Sequence, residues 1–156
     1  MNDRQRIRYA TITDLDQIYA IEQRCFPGNT AYSYRQLQYL ITKAKSSCLV
    51  EEKAGRIRGF TIILFKKNSR ICGLETINVD PEFQRNGIGQ RLLCAAEKEM
   101  KKRGSYFCRL EVSITNKGAR NFYKKNGYQD IKVLKKYYRY EHHGSCDAVR
   151  MIKKLV

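Results

Sequence analysis

The chain has 156 residues, and its 31 Lys and Arg against 15 Asp and Glu give a formal net charge of +16. This length fits a single domain over 1–156, and no apolar run approaches the roughly 18 residues of a membrane-spanning helix. Residues 1–8 are polar and charged, without the apolar core of a secretory signal, so we expect a cytoplasmic protein. The six cysteines are scattered without C-x-x-C spacing and the two histidines are adjacent, which argues against a metal site.

The first part of the chain predicts one strand and two helices. A short strand at 7–10 is followed by a helix over 13–24, with Thr13 as its N-cap and apolar side chains near helical spacing. The sequence F-P-G-N at 26–29 ends this helix. The sequence S-Y-R-Q at 33–36 has the capping-box pattern, an N-cap Ser with a Gln three residues later, and starts a second helix.

The remainder of the chain alternates between strands and helices. The clearest helix has an apolar stripe from Ile88 to Met100, and the last helix is stopped by Gly127 in the usual C-terminal position. The order β-α-α-β-β-β-α-β-α-β-β predicts an α/β (α+β) fold, a mixed sheet of about six or seven strands with about four helices on its faces. The predicted strands are 47–52, 58–65, 71–79, 107–112, 131–138 and 148–152, and the predicted helices are 87–103 and 117–126.

The strongest motif joins a strand to this clearest helix. Gln84, Gly87 and Gly89 form Q-x-x-G-x-G where the helix begins. The first N–H groups of a helix have no partner inside the helix, and the helix dipole favours an anion beside them. Glycine lets such an anion approach the backbone closely, and Arg85 adds positive charge. The pattern predicts a diphosphate site.

Two common nucleotide loops do not fit this motif. A Walker A loop requires Gly-Lys-Ser/Thr, whereas Gly89 is followed here by Gln90 and Arg91. A dinucleotide-binding loop requires a third glycine, and Leu92 occupies that position. A glycine-rich turn that binds no ligand remains the alternative at this point.

Around this loop the sequence resembles the GNAT acetyltransferases. In that family, Q/R-x-x-G-x-G/A after a strand ending in V-x-P binds the pyrophosphate of coenzyme A. Residues 110–128 contain L-E-V, N, A, F-Y and G-Y at spacings that resemble the RimI-like ribosomal-protein N-acetyltransferases, and Tyr137-Tyr138 with 144–151 resemble their C-terminal hairpin. The resemblance implies the GNAT fold and transfer of an acetyl group from acetyl-CoA to an amine, by direct attack in a ternary complex.

The resemblance also implies how acetyl-CoA is held. The end of the predicted strand 71–79, at Ile77, Asn78 and Val79, would pair with the pantetheine arm as a neighbouring strand would. A backbone N–H near Val79 would donate to the oxyanion. Asn116 would bond the same arm, although an N-cap role accounts for this residue equally well. The residues implied for the pyrophosphate are Gln84, Arg85, Asn86, Gly87, Ile88, Gly89 and Gln90.

Two side chains are implied to be catalytic. Tyr123, which would also contact the cofactor, would act as general acid for the coenzyme A thiolate, although its spacing from Ala119 fits core packing as well. A phenol with a pKa of about 10 can donate to the thiolate of a thiol with a pKa of about 8.5 in two ways: its surroundings tune the phenol's pKa, or it forms a strong hydrogen bond without full proton transfer. Glu111, in an apolar strand, would be the general base, directly or through water. A partner such as Arg109 is the alternative explanation for Glu111, and Glu75 is the competing carboxylate.

The acceptor is less defined. Phe26-Pro27 and Tyr137-Tyr138 occupy positions where RimI-like enzymes hold a peptide N-terminus, with simple packing as the alternative. Gly28-Asn29 stands where the family often has a tryptophan or an acidic residue, so the preferred first residue stays open. The resemblance favours the N-terminal α-amine of a protein, with a ribosomal protein as one candidate. The alternatives are a lysine or small-molecule amine, or a basic module that binds RNA or the ribosome with an idle catalytic site, since the charge indicates an anionic partner.

Overall fold

The computed structural model describes residues 4–156, which form one seven-stranded sheet in the order β1-β2-β3-β4-β5-β7-β6. The predicted mixed sheet with flanking helices is confirmed, and β4 with β5 is its parallel pair. No helix among the described residues is long and apolar enough to cross a membrane. The strands are β1 Arg6–Tyr9, β2 Ser46–Lys53, β3 Arg56–Leu64, β4 Ile71–Val79, β5 Phe107–Ser113, β6 Gln129–Leu134 and β7 Ala148–Lys154. The helices are α1 Leu15–Cys25, α2 Tyr34–Thr42, α3 Ile88–Lys102 and α4 Lys117–Lys125.

The sheet is buried on both faces in its centre. Ile62 and Ile63 are consecutive on β3, so their side chains point to opposite faces, and both are fully buried. Ile62 belongs to a core with α1 and α2, whereas Ile63 belongs to a core with α3 and Tyr128. The fold therefore has three layers, and each fully buried aliphatic side chain contributes roughly 1.5–3 kcal/mol.

The parallel pair β4–β5 separates after a short contact. Ile71–Gly73 pair with Phe107–Arg109, and the pairing stops there. Beyond this point β4 continues beside β3, and β5 continues beside β7. The carboxyl-terminal halves of β4 and β5 therefore diverge, and from Leu74 onward one edge of β4 has no partner strand.

A β-bulge lies where this divergence begins. Ile62 is opposite Thr76 and Ile63 is opposite Leu74, so Glu75 is the extra residue on β4. A bulge bends its strand and re-aims a side chain. The bulge thus turns β4 away from β5 and gives Glu75 its exposed position.

The hairpin between β6 and β7 differs from the sequence prediction. β6 was predicted to run to Tyr138 but ends at Leu134. Lys136 has a φ of +53°, a left-handed conformation that interrupts a strand, and its N–H donates to Asp147 Oδ1 at 2.9 Å. Tyr137 and Tyr138 therefore lie in a loop, which frees both rings from the sheet.

The start of the first helix also differs. Thr13 was predicted as the cap, but a 3-10 turn over Ile12–Asp14 precedes α1, and the Thr11 N–H donates to Asp14 Oδ2 at 2.7 Å. Arg8 on β1 holds the same carboxylate through two bonds of 2.8 and 2.9 Å, which lowers the pKa of Asp14. The capping carboxylate comes three residues after Thr11, in the local capping-box pattern T-x-x-D, and Arg8, six residues before Asp14, holds it in place.

Gly59→Ala is expected to destabilise the fold by about 1–3 kcal/mol. A Cβ at Gly59 would lie 2.9 Å from the Asn78 carbonyl oxygen and 3.1 Å from side-chain atoms of Ile88 and Leu92. Chemical denaturation measures the loss. The control is Gly73→Ala, since its Cβ would meet one backbone oxygen at 3.9 Å; equal losses in the two variants would contradict the close-approach explanation.

Candidate active site

A cleft of about 390 Å³ opens between the diverging halves of β4 and β5. β4 and β5 form two of its walls, α4 contributes a third, and the loops after α1 and after β6 close its mouth with aromatic side chains. The lining residues that bear on chemistry are Glu22, Phe26, Tyr32, Glu75, Ile77, Glu111, Asn116, Tyr123, Tyr137, Tyr138, His142 and His143.

The structure brings together some of the residues singled out in the sequence and separates others. Pro27 does not line the cleft, and its carbonyl accepts a hydrogen bond from Thr30 at 3.1 Å. The segment 84–90 lies beyond the end of β4, at the start of α3. Among the described residues, no group of three His, Cys, Asp or Glu side chains could hold a metal ion. The residues singled out in the sequence that line the cleft together are Phe26, Ile77, Glu111, Asn116, Tyr123, Tyr137 and Tyr138.

Tyr123 is held on α4 between two other aromatic rings. Its ring contacts Phe122 and Tyr128 edge-on, with centroid distances of 5.3 and 5.6 Å. Burial raises the pKa of its phenol well above the ordinary value. No hydrogen-bond partner of the Tyr123 hydroxyl is found within residues 4–156, so a protonated O–H is available to the cleft.

Glu111 is held at the β5 wall by two arginines and a tyrosine. Its Oε2 lies 3.3 Å from Arg150 Nε and 3.7 Å from Arg109 Nε. The Tyr137 hydroxyl donates to its Oε1 at 3.3 Å. An ion pair with Arg109 was predicted from the sequence as the alternative explanation for a carboxylate at this position. Arg150 is the residue of β7 that lies directly opposite Glu111.

Glu75 faces the cleft from the opposite strand and also has a tyrosine partner. The Tyr32 hydroxyl donates to Glu75 Oε1. Burial, together with the charge of Glu75, raises the pKa of Tyr32. The cleft thus has one carboxylate–tyrosine pair on each wall. Sequence reasoning missed Tyr32, whose one local signal is its position before the α2 capping box.

Glu22 supplies a third carboxylate from α1. It is 1% exposed and accepts from Asn78 Nδ2 at 2.7 Å and from the Tyr32 N–H at 2.9 Å. Burial raises its pKa. Three carboxylates therefore line a cleft in a protein of charge +16. Glu22 was missed because it was treated as part of the α1 helical pattern; a carboxylate in an apolar stripe was its signal.

The mouth of the cleft is aromatic. Tyr138 stacks on His142 at 3.9 Å between centroids, and Tyr137 contacts Tyr138 edge-on at 5.0 Å. Phe26 reaches the same His142 ring from the other loop at 6.5 Å. Ser113 donates to the His142 carbonyl at 2.7 Å, which fixes the β6–β7 loop on the end of β5. The sequence signal for His142 was weak, because its contacts with Phe26 and Ser113, which place it at the cleft, are distant in the chain.

The loop before α3 is fixed from two sides. Gly87 has a φ of +74° and Arg85 a φ of +68°. Arg91, one turn into α3, donates to the Asn86 carbonyl at 3.0 Å and to Glu51 Oε2 at 3.0 Å. Glu51 is buried in β2, so this ion pair anchors the loop to the sheet. Sequence reasoning assigned no role to this pair.

The residues of the loop and of β4 fit coenzyme A. A Cβ at Gly89 would meet Val79 Cγ2 at an ordinary 3.8 Å, so packing does not require glycine there. Because Gly89 has no Cβ, the first N–H groups of α3 are open to an anion such as a diphosphate. The unpaired edge of β4 suits an extended chain with amide groups. Asn116 caps α4 by accepting from the Ala119 N–H at 3.2 Å, and its amide nitrogen lies 3.2 Å from His143 Nε2.

Comparison with known proteins agrees with this arrangement. Residues 15–128 match the acetyltransferase (GNAT) family. The chain belongs to this family. As a GNAT acetyltransferase it is an acetyl-CoA-dependent N-acetyltransferase, which confirms the fold, the enzyme class and the cofactor indicated by the sequence.

Individual relatives are similar over most of the chain. An uncharacterized N-acetyltransferase of Methanocaldococcus jannaschii is 30% identical, and the match covers 85% of this chain and 64% of that protein. An N-alpha-acetyltransferase of Sulfurisphaera tokodaii is 33% identical, with 85% of each chain covered. The crystal structure of the ribosomal-protein-S18-alanine N-acetyltransferase from Escherichia coli superimposes with a TM-score of 0.86 at 27% identity, over 97% of this chain and 94% of that one.

Gly89→Ala is expected to weaken acetyl-CoA binding by roughly 10–100-fold, the range for losing one charge-assisted hydrogen bond. The added methyl group fits the protein but occupies the approach to the α3 N–H groups. The fold itself should gain stability, because alanine is favoured over glycine in a helix by about 1 kcal/mol. Calorimetric titration and thermal melting measure the two changes. A variant that loses stability together with binding would show that Gly89 serves the fold instead of the ligand.

Proposed function

We propose that this GNAT enzyme acetylates the N-terminal α-amine of a protein. The observation that carries the proposal is the cleft itself, whose lining includes Glu22, Glu75 and Glu111 but no Lys or Arg, within a basic protein. Such a site attracts a cationic amine. The similarity to an archaeal N-alpha-acetyltransferase and to a bacterial ribosomal-protein-alanine N-acetyltransferase supports the same acceptor, with a ribosomal protein as the substrate.

The proposed cofactor contacts follow from the open edge of β4 and the start of α3. Bound acetyl-CoA supplies an acetyl group activated as a thioester. Ile77, Asn78 and Val79 would offer backbone groups to the pantetheine arm; the Asn78 side chain is already engaged by Glu22. Asn116 would add a side-chain bond to the same arm. The remaining residues would bind the pyrophosphate, chiefly through backbone N–H groups: Gln84, Arg85, Asn86, Gly87, Ile88, Gly89 and Gln90.

Tyr123 is proposed as the proton donor to the departing sulfur. Its raised pKa keeps the phenol protonated, but it also makes full transfer to a thiolate of pKa about 8.5 unfavourable. A strong hydrogen bond from Tyr123 Oη to the sulfur is therefore the expected contribution. A neutral hydrogen-bond donor that meets charge as it develops is an effective form of stabilisation.

Glu111 is proposed as the base that removes a proton from the incoming ammonium group. Its carboxylate faces the cleft across from Glu75, and one of its oxygens is bonded to Tyr137. A water molecule between Glu111 and the amine would carry the proton if the two do not meet directly. Glu75 is the alternative base, with Tyr32 as its partner.

The aromatic mouth is proposed to hold the first residues of the peptide. Phe26, Tyr137 and Tyr138 would contact the chain, with Tyr32 and His142 completing the wall. Pro27 would act by fixing the backbone after Phe26. A ribosomal-protein substrate places the reaction in the cytoplasm, which also suits the free state of all six cysteines.

The test is thiol release from acetyl-CoA with two matched peptides. One has a free α-amine and no lysine, and the other is blocked at its N-terminus and has one internal lysine. We expect turnover with the first peptide alone. Turnover with the second alone would replace the proposal with a lysine acetyltransferase, and binding of acetyl-CoA without turnover on either would point to a small-molecule amine.

A further inference from the structure

A second concavity lies at the other end of the sheet, where β4 and β5 begin. It has a volume of about 640 Å³ and is bounded by the residue before β2, the β3–β4 loop and the turn after α3. The active-site cleft lies at the opposite, carboxyl-terminal halves of β4 and β5, so the two sites are separate. We call it the basic concavity; its charged lining residues are Lys45, Lys66, Lys67, Arg70 and Arg103.

The charge of the basic concavity is uncompensated. No carboxylate lines it, and none of its five cations takes part in a salt bridge within residues 4–156. By contrast, several arginines elsewhere are paired with carboxylates, among them Arg58 and Arg91 with Glu51 and Arg24 with Asp80. Like charges gathered in a concave surface repel each other and focus a positive potential, so the site suits an anionic partner.

Two of the cations have fixed orientations. The Arg70 guanidinium lies over the Tyr106 ring at 4.5 Å, and the Arg103 guanidinium lies over the Phe65 ring at 4.3 Å. Arg103 also donates to Ser47 Oγ at 3.2 Å. A guanidinium stacked on an aromatic ring loses less freedom on binding, and its planar fork matches the oxygens of a phosphate group.

The arrangement fits a chain of phosphates better than one small anion. All five cations are exposed, so they do not converge on a single buried point. Lys101 and Lys102 continue the positive surface along the last turn of α3. Tyr106 lies beside the concavity with Arg70 over its ring, and the residue is 44% exposed, which leaves part of it for stacking on a base. An acidic peptide would match the charge but would have no base to stack.

We propose that the basic concavity binds the phosphodiester backbone of single-stranded RNA. This inference rests on the proposed function in one respect, since a ribosomal-protein substrate is presented next to RNA. The RNA contact would hold the enzyme on the assembly that carries its substrate while the cleft at the other end of the sheet remains open. Binding of RNA and acetylation of a free peptide are then separable activities.

The experiment measures the fluorescence anisotropy of a labelled oligouridine of about 12 nucleotides. The test variant is Lys66→Ala/Lys67→Ala, and the control is Lys53→Ala/Lys132→Ala, which removes two exposed lysines outside the basic concavity. At about 50 mM salt the test variant should bind about tenfold more weakly, and the slope of log affinity against log salt should fall by about 1.4, or about 0.7 for each lost phosphate contact. The control should stay within about twofold of the wild type.

Two results would overturn the proposal. An equal loss of oligouridine affinity in the test and control variants would mean that RNA binds through the overall positive charge of the protein and not through the basic concavity. Tighter binding of an oligoglutamate peptide than of oligouridine would assign the site to an acidic protein. Acetylation of the lysine-free peptide should be unchanged in the Lys66→Ala/Lys67→Ala variant. If the wild type binds RNA in this way but does not acetylate the peptide, the proposed function fails and the RNA site stands.

Discussion

Tyr123→Phe is expected to lower kcat by about 10²–10³, the range for removing one hydrogen-bond donor to developing charge, while acetyl-CoA binds with unchanged affinity. The substitution keeps the ring that contacts Phe122 and Tyr128. It removes a hydroxyl without a hydrogen-bond partner within residues 4–156, so the free energy of unfolding should change by less than about 0.5 kcal/mol. Thiol release, calorimetric titration with acetyl-CoA and chemical denaturation measure the three quantities.

Tyr128→Phe is the matched control for this experiment. Tyr128 is buried beside Tyr123, but its hydroxyl donates to Glu97 Oε2 at 2.9 Å. Losing that bond to a carboxylate should cost about 1.5–3 kcal/mol of stability and leave turnover intact, the reverse of the pattern expected for Tyr123. If Tyr123→Phe keeps wild-type turnover, Tyr123 is a packing residue and the proton donor must be sought elsewhere in the cleft.

The parts of the fold that the sequence predicted are those with local causes. Gly87 lies at the N-cap of α3 with a positive φ, and Gly127 follows α4 with a φ of +92°. Both conformations favour glycine whatever surrounds them. Asn116 caps α4 through the Ala119 N–H, as its position before a helical pattern predicted. Whether it also binds the pantetheine arm stays a prediction.

The parts that the sequence did not predict depend on contacts between distant segments. Tyr32 reaches Glu75 across 43 residues, and Glu22 reaches Asn78 across 56. Neither pair has a spacing that marks it in the chain. The early end of β6 likewise depends on Asp147, which accepts a bond from the turn after Leu134. The sequence therefore indicated the chemistry of the cleft, and tertiary pairing decided which side chains complete it.

Glu111→Gln is expected to lower kcat/KM by about 10²–10⁴ at low pH and by much less at high pH. An α-amine has a pKa of about 8, so near pH 6 almost all of the acceptor arrives as ammonium and needs a base. Above about pH 9 the amine is already neutral and the base is dispensable. The ratio of variant to wild-type activity should therefore rise with pH, and thiol release across this range measures it.

The ion pairs of Glu111 require a separate control, because the amide also weakens the contacts to Arg150 and Arg109. Arg150→Gln breaks the closer pair while leaving the carboxylate. If Glu111 only anchors that pair, both variants will lose activity by factors that do not change with pH. Glu75→Gln makes the same chemical change on the facing strand. If the loss of activity depends on pH in Glu75→Gln and is constant in Glu111→Gln, the general base is Glu75 on β4. Its hydrogen-bond partner is then Tyr32, as Tyr137 is the partner of Glu111.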